Sequence, residues 1–310
     1  MFTAKQTNFQ FVQLIIMTPS SNKLKDIVAF FKKELIGYYN ENELQTICSI
    51  IFESKLNIKR QDIALNPEQR LNESHIVKII KVVKRLKRYE PVQYITGFTD
   101  FLELTIKVKP PVLIPRPETE ELVLWVEEEL KSYNHDGIRL LDIGTGSGCI
   151  ALVLKRRVPD ITVCGLDINT EAISVAKDNA RHYNLNIDFK EKDILKLHKD
   201  DPIREKKWDV WVSNPPYVRL SERKYMHDNV LKYESKEALF VDDYRPLIFY
   251  EQISNLAIQS LKDGGLVFFE INEAMGQEIK RMLENTGFTN IVIKKDINGK
   301  DRFVRAVKKT

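Results

Sequence analysis

The chain has 310 residues, of which 43% are hydrophobic and 30% charged, with a formal net charge of +4. Such composition excludes a disordered, collagenous or fibrous protein, and the length suits two packed units. The mild basicity permits an anionic partner without requiring one.

Cys48, Cys149 and Cys164 form no Cys-x-x-Cys pair; an odd, scattered set points away from a disulfide framework and toward a reducing, cytoplasmic setting. No apolar run approaches the roughly 18 residues that a membrane span needs. Residues 9–16 are briefly apolar but lack the small-residue cleavage site of a signal peptide. Met17 offers an alternative start, and residues 1–21 read as a disordered extension.

From about residue 22 to 90 the apolar positions follow a helical period. Leu24, Ile27, Val28, Phe31 and Leu35 form one stripe, and Leu44, Ile47, Cys48, Ile51 and Phe52 a second. Ile76, Ile79, Ile80, Val83 and Leu86 form a third. Residues 1–90 are therefore expected to form a helical N-terminal domain. Its last helix, which Pro91 is expected to end, carries Lys78, Lys81, Lys84, Arg85, Lys87 and Arg88. That face is either simply solvated or an electrostatic footprint for a ribosomal or RNA-bound partner.

Two β-rich runs, 92–98 and 101–108, around a Thr99-Asp100 turn predict a β-hairpin linker within 91–115. Pro110, Pro111, Pro115 and Pro117 then force an extended, stiff path. Pro117, followed by Glu118, Glu120 and Glu121, reads as the first turn of a helix reaching about Leu130.

Beyond Ile138 the pattern alternates. Strands are predicted near 138–143, 161–167, 187–191, 208–213, 265–271, 290–295 and 302–307, and helices near 148–157, 170–183, 246–261 and 274–286. This is an α/β domain over 116–310, with a seven-stranded, mostly parallel sheet covered on both faces. Asn298-Gly299 between the last two strands predicts an antiparallel hairpin at the sheet edge.

Asp142-Ile143-Gly144-Thr145-Gly146-Ser147-Gly148 is a strand running into a glycine turn and then a helix. The glycines allow a tight turn and close approach of a ligand, although such turns also join strands to helices with no ligand. A pyrophosphate site needs Gly-x-Gly-x-x-Gly, whereas here Cys149 takes the third glycine position. Asp142 just before the loop would repel a pyrophosphate and suits a cation. S-adenosylmethionine, a sulfonium without phosphate, fits that charge. Asp167, closing the second strand, can accept both ribose hydroxyls. Asp193, after the third strand, either takes an adenine amino hydrogen or is a simple loop acid.

The fourth strand ends in Asn214-Pro215-Pro216-Tyr217. The prolines fix the backbone and remove two N–H donors. What remains are two acceptors, the Asn214 side-chain oxygen and the Pro215 carbonyl, which suit an –NH2 group. Tyr217 offers a face for a planar group.

These motifs resemble class I (Rossmann-like) methyltransferases acting on nitrogen. The stretch from Val112 through Ile114-Pro115-Arg116-Pro117-Glu118-Thr119-Glu120, with Pro91-Val92-Gln93-Tyr94-Ile95 and the helical N-terminus, narrows the resemblance to the HemK/PrmC family over residues 22–308. That resemblance implies methyl transfer from S-adenosyl-L-methionine, leaving S-adenosyl-L-homocysteine, to the glutamine side-chain nitrogen in the Gly-Gly-Gln motif of class 1 peptide chain release factors, in translation termination. It implies no metal, and a partner that is free or ribosome-bound. It carries Gly144, Thr145, Gly146, Ser147, Gly148, Asp167, Ile168, Asp193, Ile194 and Asn214 to the cofactor. Asn214, Pro215, Pro216, Tyr217, Arg116 and Glu118 go to the substrate, with Asn214 and Pro215 in the catalytic role.

The sequence departs from the family at Ile194, where an aromatic residue is usual, at Ser235 after Tyr233-Glu234, at 241–245, and at Asn272, where glycine is common. None of the histidines, His75, His135, His182, His198 and His227, falls in a recognisable motif. An adenine-N6 or guanine-N2 nucleic-acid methyltransferase is the first rival, but no target-recognition segment is evident and the charge is small. A NAD(P)-dependent oxidoreductase and an idle binding protein are the others; the absent third glycine and the Asn-Pro-Pro-Tyr loop count against the oxidoreductase.

Overall fold

The computed structural model describes residues 18–132 and 137–309. The expectations for Met17, for the extension before residue 18 and for His135 lie outside the described residues. The chain divides into two compact units between Val92 and Gln93.

The first unit is helical: α1 (Leu24–Leu35), α2 (Glu41–Leu56), α3 (Arg60–Leu65) and α4 (Glu73–Leu86). Asn40 and Asn72 cap α2 and α4, each accepting a backbone N–H at 2.9 Å. The three sequence stripes meet in its core, where Leu24, Ile27, Phe31, Leu35, Ile51, Phe52 and Val83 are fully buried. Phe30 and Val82 join them, whereas Val28, Ile76 and Ile80 are only partly covered. Lys78, Lys81 and Lys84 are exposed on α4, while Lys87 pairs with Glu34 at 2.6 Å.

Helix α4 stops at Leu86, earlier than Pro91, because Tyr89 turns the chain with a φ of +61°. The run 92–98, expected as a strand, is instead mostly helix α5 (Val92–Thr96). A five-residue apolar run has no decisive period, and Pro91 presets a φ suited to a first helical turn. The hairpin lies later, as β1 (Phe98–Phe101) and β2 (Leu104–Lys107). Thr99 and Asp100 are strand residues; Leu102 makes the turn at φ +49°, with its N–H donated to Glu120 Oε1 at 2.9 Å. Tyr183 Oη exchanges hydrogen bonds with the Thr105 backbone, and Lys107 pairs with Asp178 at 2.7 Å.

Helix α6 (Pro117–Ser132) leads into the alternating region. This comprises β3 (Arg139–Ile143), α7 (Cys149–Arg157), β4 (Thr162–Asp167), α8 (Thr170–His182), β5 (Asp188–Glu191), α9 (Pro202–Glu205) and β6 (Trp208–Ser213). After a connection holding β7 (Val218–Arg219), α10 (Asp228–Tyr233), α11 (Lys236–Leu239) and β8 (Phe240–Val241) come α12 (Ile248–Ser260), β9 (Leu261–Glu270), α13 (Gly276–Thr286), β10 (Phe288–Lys295) and β11 (Asp301–Lys308). The short elements between Asn214 and Ile248 carry no clear period, and the sequence did not forecast them.

The main sheet has the order β10-β11-β9-β6-β3-β4-β5, and only β11 runs against the rest. Successive strand residues face opposite sides. Leu140, Phe268 and Phe303 pack under α6, α7 and α8, while Leu141, Phe269 and Val304 pack under α12 and α13. Trp125 meets Phe268 edge-on at 5.4 Å, and Tyr250 meets Phe269 at 5.2 Å on the other side. Among the described residues no helix is long and apolar enough to cross a membrane.

Gly165 in β4 lets strand and loop approach closely: a Cβ there would stand 2.5 Å from the Phe189 ring and 2.9 Å from Thr145 Oγ1. Gly165→Ala is therefore expected to cost about 1–3 kcal/mol through overpacking. A thermal melt should show the loss; an unchanged midpoint would mean that the ring moves aside freely.

Candidate active site

Both loops singled out in the sequence leave the sheet at the carboxyl ends of adjacent parallel strands. Ile143 of β3 lies beside Ser213 of β6, and Ser213 Oγ donates to the Ile143 carbonyl at 2.7 Å. The glycine loop and the Asn-Pro-Pro-Tyr loop therefore start about one strand spacing, ~4.8 Å, apart.

Gly144, Gly146 and Gly148 all adopt left-handed φ values, +72°, +56° and +82°. The Gly144 and Thr145 N–H groups donate to the Leu166 carbonyl at 2.8 Å, and Gly146 N–H donates to Asp167 Oδ2 at 2.9 Å. The Thr145 and Ser147 side chains are buried, so any contact these residues make above the loop falls to the backbone. Beneath it, Thr145 Oγ1 donates to Asp142 Oδ2 at 2.6 Å. Asn179 donates to the Ser147 carbonyl at 2.9 Å and also bonds both backbone groups of Lys107, tying the loop to the hairpin.

The upper side of the loop is open. A Cβ built on Gly144 would meet nothing nearer than the Asn214 carbonyl, 3.8 Å away. Asp167 flanks this space, its Oδ1 accepting from Asn169 N–H at 2.9 Å. Each Asp167 oxygen thus carries one backbone bond and keeps acceptor capacity for another. Burial holds the Asp167 carboxyl above its ordinary range, and burial pushes that of fully enclosed Asp142 up to about 7. Asp142, expected from the sequence to face the ligand, is instead enclosed beneath the loop; Asp167 alone of the two borders the open space, and its spare lone pairs fit ribose hydroxyls.

Ile168 is 60% exposed at the rim. Ile194 is buried with Ile143 and Leu166 and presents its carbonyl to Gln252 at 3.2 Å. Asp193 caps the short 3-10 turn Ile194–Lys196 through Oδ1, and its Oδ2 lies 3.3 Å from Lys196 Nζ. The acid is thus engaged on its own loop, with lone pairs to spare.

Asn214 is half-buried and Pro215 buried. Asn214 Nδ2 donates to Thr119 Oγ1 at 3.0 Å, and Thr119 in turn donates to Glu270 Oε2 at 2.7 Å. Tyr217 Oη donates to the other oxygen, Glu270 Oε1, at 3.0 Å, so its ring is tethered and packs partly against the core. Glu270 is 1% exposed, and burial raises its carboxyl to about 7. Arg116 is paired with buried Glu234 at 2.6 Å, which also accepts from Ile114 N–H at 3.4 Å. Arg116 thereby fastens the proline-rich segment to the end of α10. Glu118, partly exposed, adds negative charge near Glu270 and Tyr217.

Asn272 is buried and bonds the Tyr217 carbonyl at 3.3 Å and Glu222 Oε2 at 3.0 Å. The Asn272 side chain therefore staples the loop. Thr119, Glu234, Glu270 and Asn272 were given no role from the sequence. The signal for Glu270 was present: an acid directly after the apolar run Leu266-Val267-Phe268-Phe269, at the carboxyl end of a strand. Among the described residues, no cluster of His, Cys, Asp and Glu is arranged to hold a metal ion.

A methyltransferase-domain family profile matches residues 134–296, just over half of the chain, so the sheet and its two loops define a methyltransferase. The PrmC N-terminal domain profile matches residues 26–97. A release factor glutamine methyltransferase of Flavobacterium psychrophilum is 40% identical over 283 residues, covering 91% of this chain and 98% of that protein. One of Bacteroides thetaiotaomicron is 39% identical over 280 residues, covering 90% and 98%. The chain belongs to the release factor glutamine methyltransferase family. A solved release-factor-specific protein-(glutamine-N5) methyltransferase of Alicyclobacillus acidocaldarius is 26% identical, with TM-score 0.41 over 66% of this chain and 100% of that one. With family membership the nucleic-acid and nicotinamide readings fall away.

The state of Asp142 has a measurable consequence. Its folded carboxyl keeps a proton up to about pH 7, whereas in the unfolded chain it ionises near pH ~4. The folded state binds the extra proton between those values, so this group's contribution falls as pH rises, by up to ~1.4 kcal/mol per unit. Asp142→Asn keeps an acceptor for Thr145 and is expected to flatten that part of the decline. Melts across the range that show parallel curves for both proteins would contradict it.

Proposed function

We propose that this protein methylates the side-chain amide nitrogen of the glutamine in the Gly-Gly-Gln motif of class 1 peptide chain release factors. One observation carries the reading: Asn214 spends its NH2 on Thr119 and so keeps Oδ1, a pure acceptor, for an incoming amide. S-adenosylmethionine would be held by Gly144, Thr145, Gly146, Ser147 and Gly148, with Asp167, Ile168, Asp193, Ile194 and Asn214, and when bound it supplies a methyl group already activated by a positive sulfur, so the chemistry calls for no metal.

Asn214 Oδ1 and the Pro215 carbonyl accept the two amide hydrogens. Pro215 and Pro216 have no N–H of their own to compete for those acceptors, and their rings hold both oxygens in place. An amide nitrogen is a weak nucleophile because its lone pair is shared with the carbonyl. Two fixed acceptors orient it and stabilise the positive charge that grows on it during transfer. The proton can leave afterwards, so no dedicated base is needed. A glutamate side chain would face oxygen with oxygen, at about 1–3 kcal/mol for each acceptor left unpaired.

The Tyr217 ring, held by Glu270, borders the amide plane. Arg116, through Glu234, shapes the mouth of the site, and Glu118 contributes charge there. The N-terminal helices are assigned to gripping the release factor.

Incubation with a class 1 release factor and methyl-labelled S-adenosylmethionine, followed by peptide mapping, should place the label on the Gly-Gly-Gln peptide. Label found elsewhere, or nowhere, would sink the assignment. Asn214→Ala is expected to abolish transfer while leaving part of the cofactor affinity. Asp167→Ala should weaken cofactor binding selectively, as read by calorimetry.

A further inference from the structure

Glu270 ends β9 at the carboxyl edge of the sheet, and each of its oxygens receives one hydroxyl, from Thr119 at 2.7 Å and from Tyr217 at 3.0 Å. An ionised carboxylate only accepts. The Thr119 hydrogen is therefore committed to Glu270, and Thr119 Oγ1 has only lone pairs left to offer. The Asn214 atom 3.0 Å from that oxygen must then be a donor, which identifies it as Nδ2. The two ends of a carboxamide point apart, so Oδ1 is turned away from Thr119. With the amide reversed, oxygen would meet an oxygen that has no hydrogen to give.

We propose that Glu270, acting through Thr119, is a positioning residue that locks the Asn214 carboxamide with its oxygen toward the substrate and thereby sets the choice of glutamine over glutamate. The proposal rests on the reading of Asn214 as the acceptor that grips the substrate amide. Neither Thr119 nor Glu270 touches a reacting atom in this scheme. They decide which end of Asn214 does.

The lock depends on charge. Glu270 is faced by Tyr217 from the loop after β6, by Arg302 from β11 and by Glu118 from α6. Tyr250 of α12 donates to its backbone carbonyl at 3.0 Å, and Cys149 at the start of α7 lies within its field. Arg302 favours the ionised carboxyl, whereas burial and Glu118 oppose it. Once protonated, Glu270 carries a hydrogen that can turn to Thr119, whose own hydrogen is then released toward Asn214. Either end of the carboxamide can then face the substrate, so preference for glutamine fades as pH falls below about 7.

The test compares Thr119→Val, Thr119→Ser, Glu270→Gln and Asn214→Ala, each first checked for S-adenosylmethionine affinity by calorimetry. The readouts are methyl transfer to a class 1 release factor and inhibition by the same factor carrying Gly-Gly-Glu. Thr119→Val is expected to lower kcat, and to shrink the preference for glutamine over glutamate by ~10-fold or more, the scale of one unpaired acceptor, with cofactor affinity kept within ~2-fold. Thr119→Ser, which retains the hydroxyl, should restore both. Glu270→Gln should lower the preference and remove its fall between about pH 8 and 6.

Full preference in a cofactor-binding Thr119→Val protein overturns the relay. Should that variant fail to bind cofactor, a wild-type pH profile of preference in Glu270→Gln overturns it instead. Asn214→Ala, in which transfer is expected to be lost, separates the two ideas by binding, its preference being the ratio of calorimetric affinities for the release factor and for its Gly-Gly-Glu form. If it keeps the preference, the reading of Asn214 itself fails. If it loses the preference while Thr119→Val and Glu270→Gln keep theirs, only the relay fails.

Discussion

The parallel ladder between β3 and β6 is the constraint on which the site depends. Pairing Ile143 with Ser213 sets two loops that lie about seventy residues apart in the chain side by side. One loop is glycine-rich and opens a cradle; the other is proline-rich and holds fixed acceptors. A slip by one residue would turn the strand faces over and expose the apolar residues that now meet the flanking helices. The packing that makes the sheet stable is thus also what fixes the distance between the two loops.

Beneath each loop lies a buried carboxyl that takes a threonine hydroxyl: Asp142 from Thr145, and Glu270 from Thr119. A core acid is costly unless it is hydrogen-bonded or keeps its proton. Burial pushes both groups up to about 7 against the opposing pull of those hydrogen bonds. When ionised, a fixed carboxylate below a loop only accepts, and so sets the direction of the hydroxyl hydrogen that meets it. Such directionality is unavailable to an apolar core.

Loop positions around the site are anchored locally. Asn272 bonds the Tyr217 carbonyl and Glu222. Ile194 packs into the core beside Ile143 and Leu166 and is fastened through its carbonyl to Gln252. Glu234 is held by Arg116 and the Ile114 N–H.

By itself the sequence determined the seven-stranded sheet, its flanking helices and the two motif loops. Strand and helix periods there are long and unbroken, and glycine and proline act on the backbone wherever they stand. It also yielded the residue types needed for a cationic ligand and an amide. Only the tertiary structure decided that 92–96 is helical, that Leu102 rather than Thr99-Asp100 makes the hairpin turn, and that Arg116 is bound to Glu234. It alone joined Thr119, Asn214, Tyr217 and Glu270 into one chain of hydrogen bonds. Those four side chains come from a helix, a loop and a strand far apart in sequence. Hydrogen-bond direction is a property of contacts in space, which no local period records.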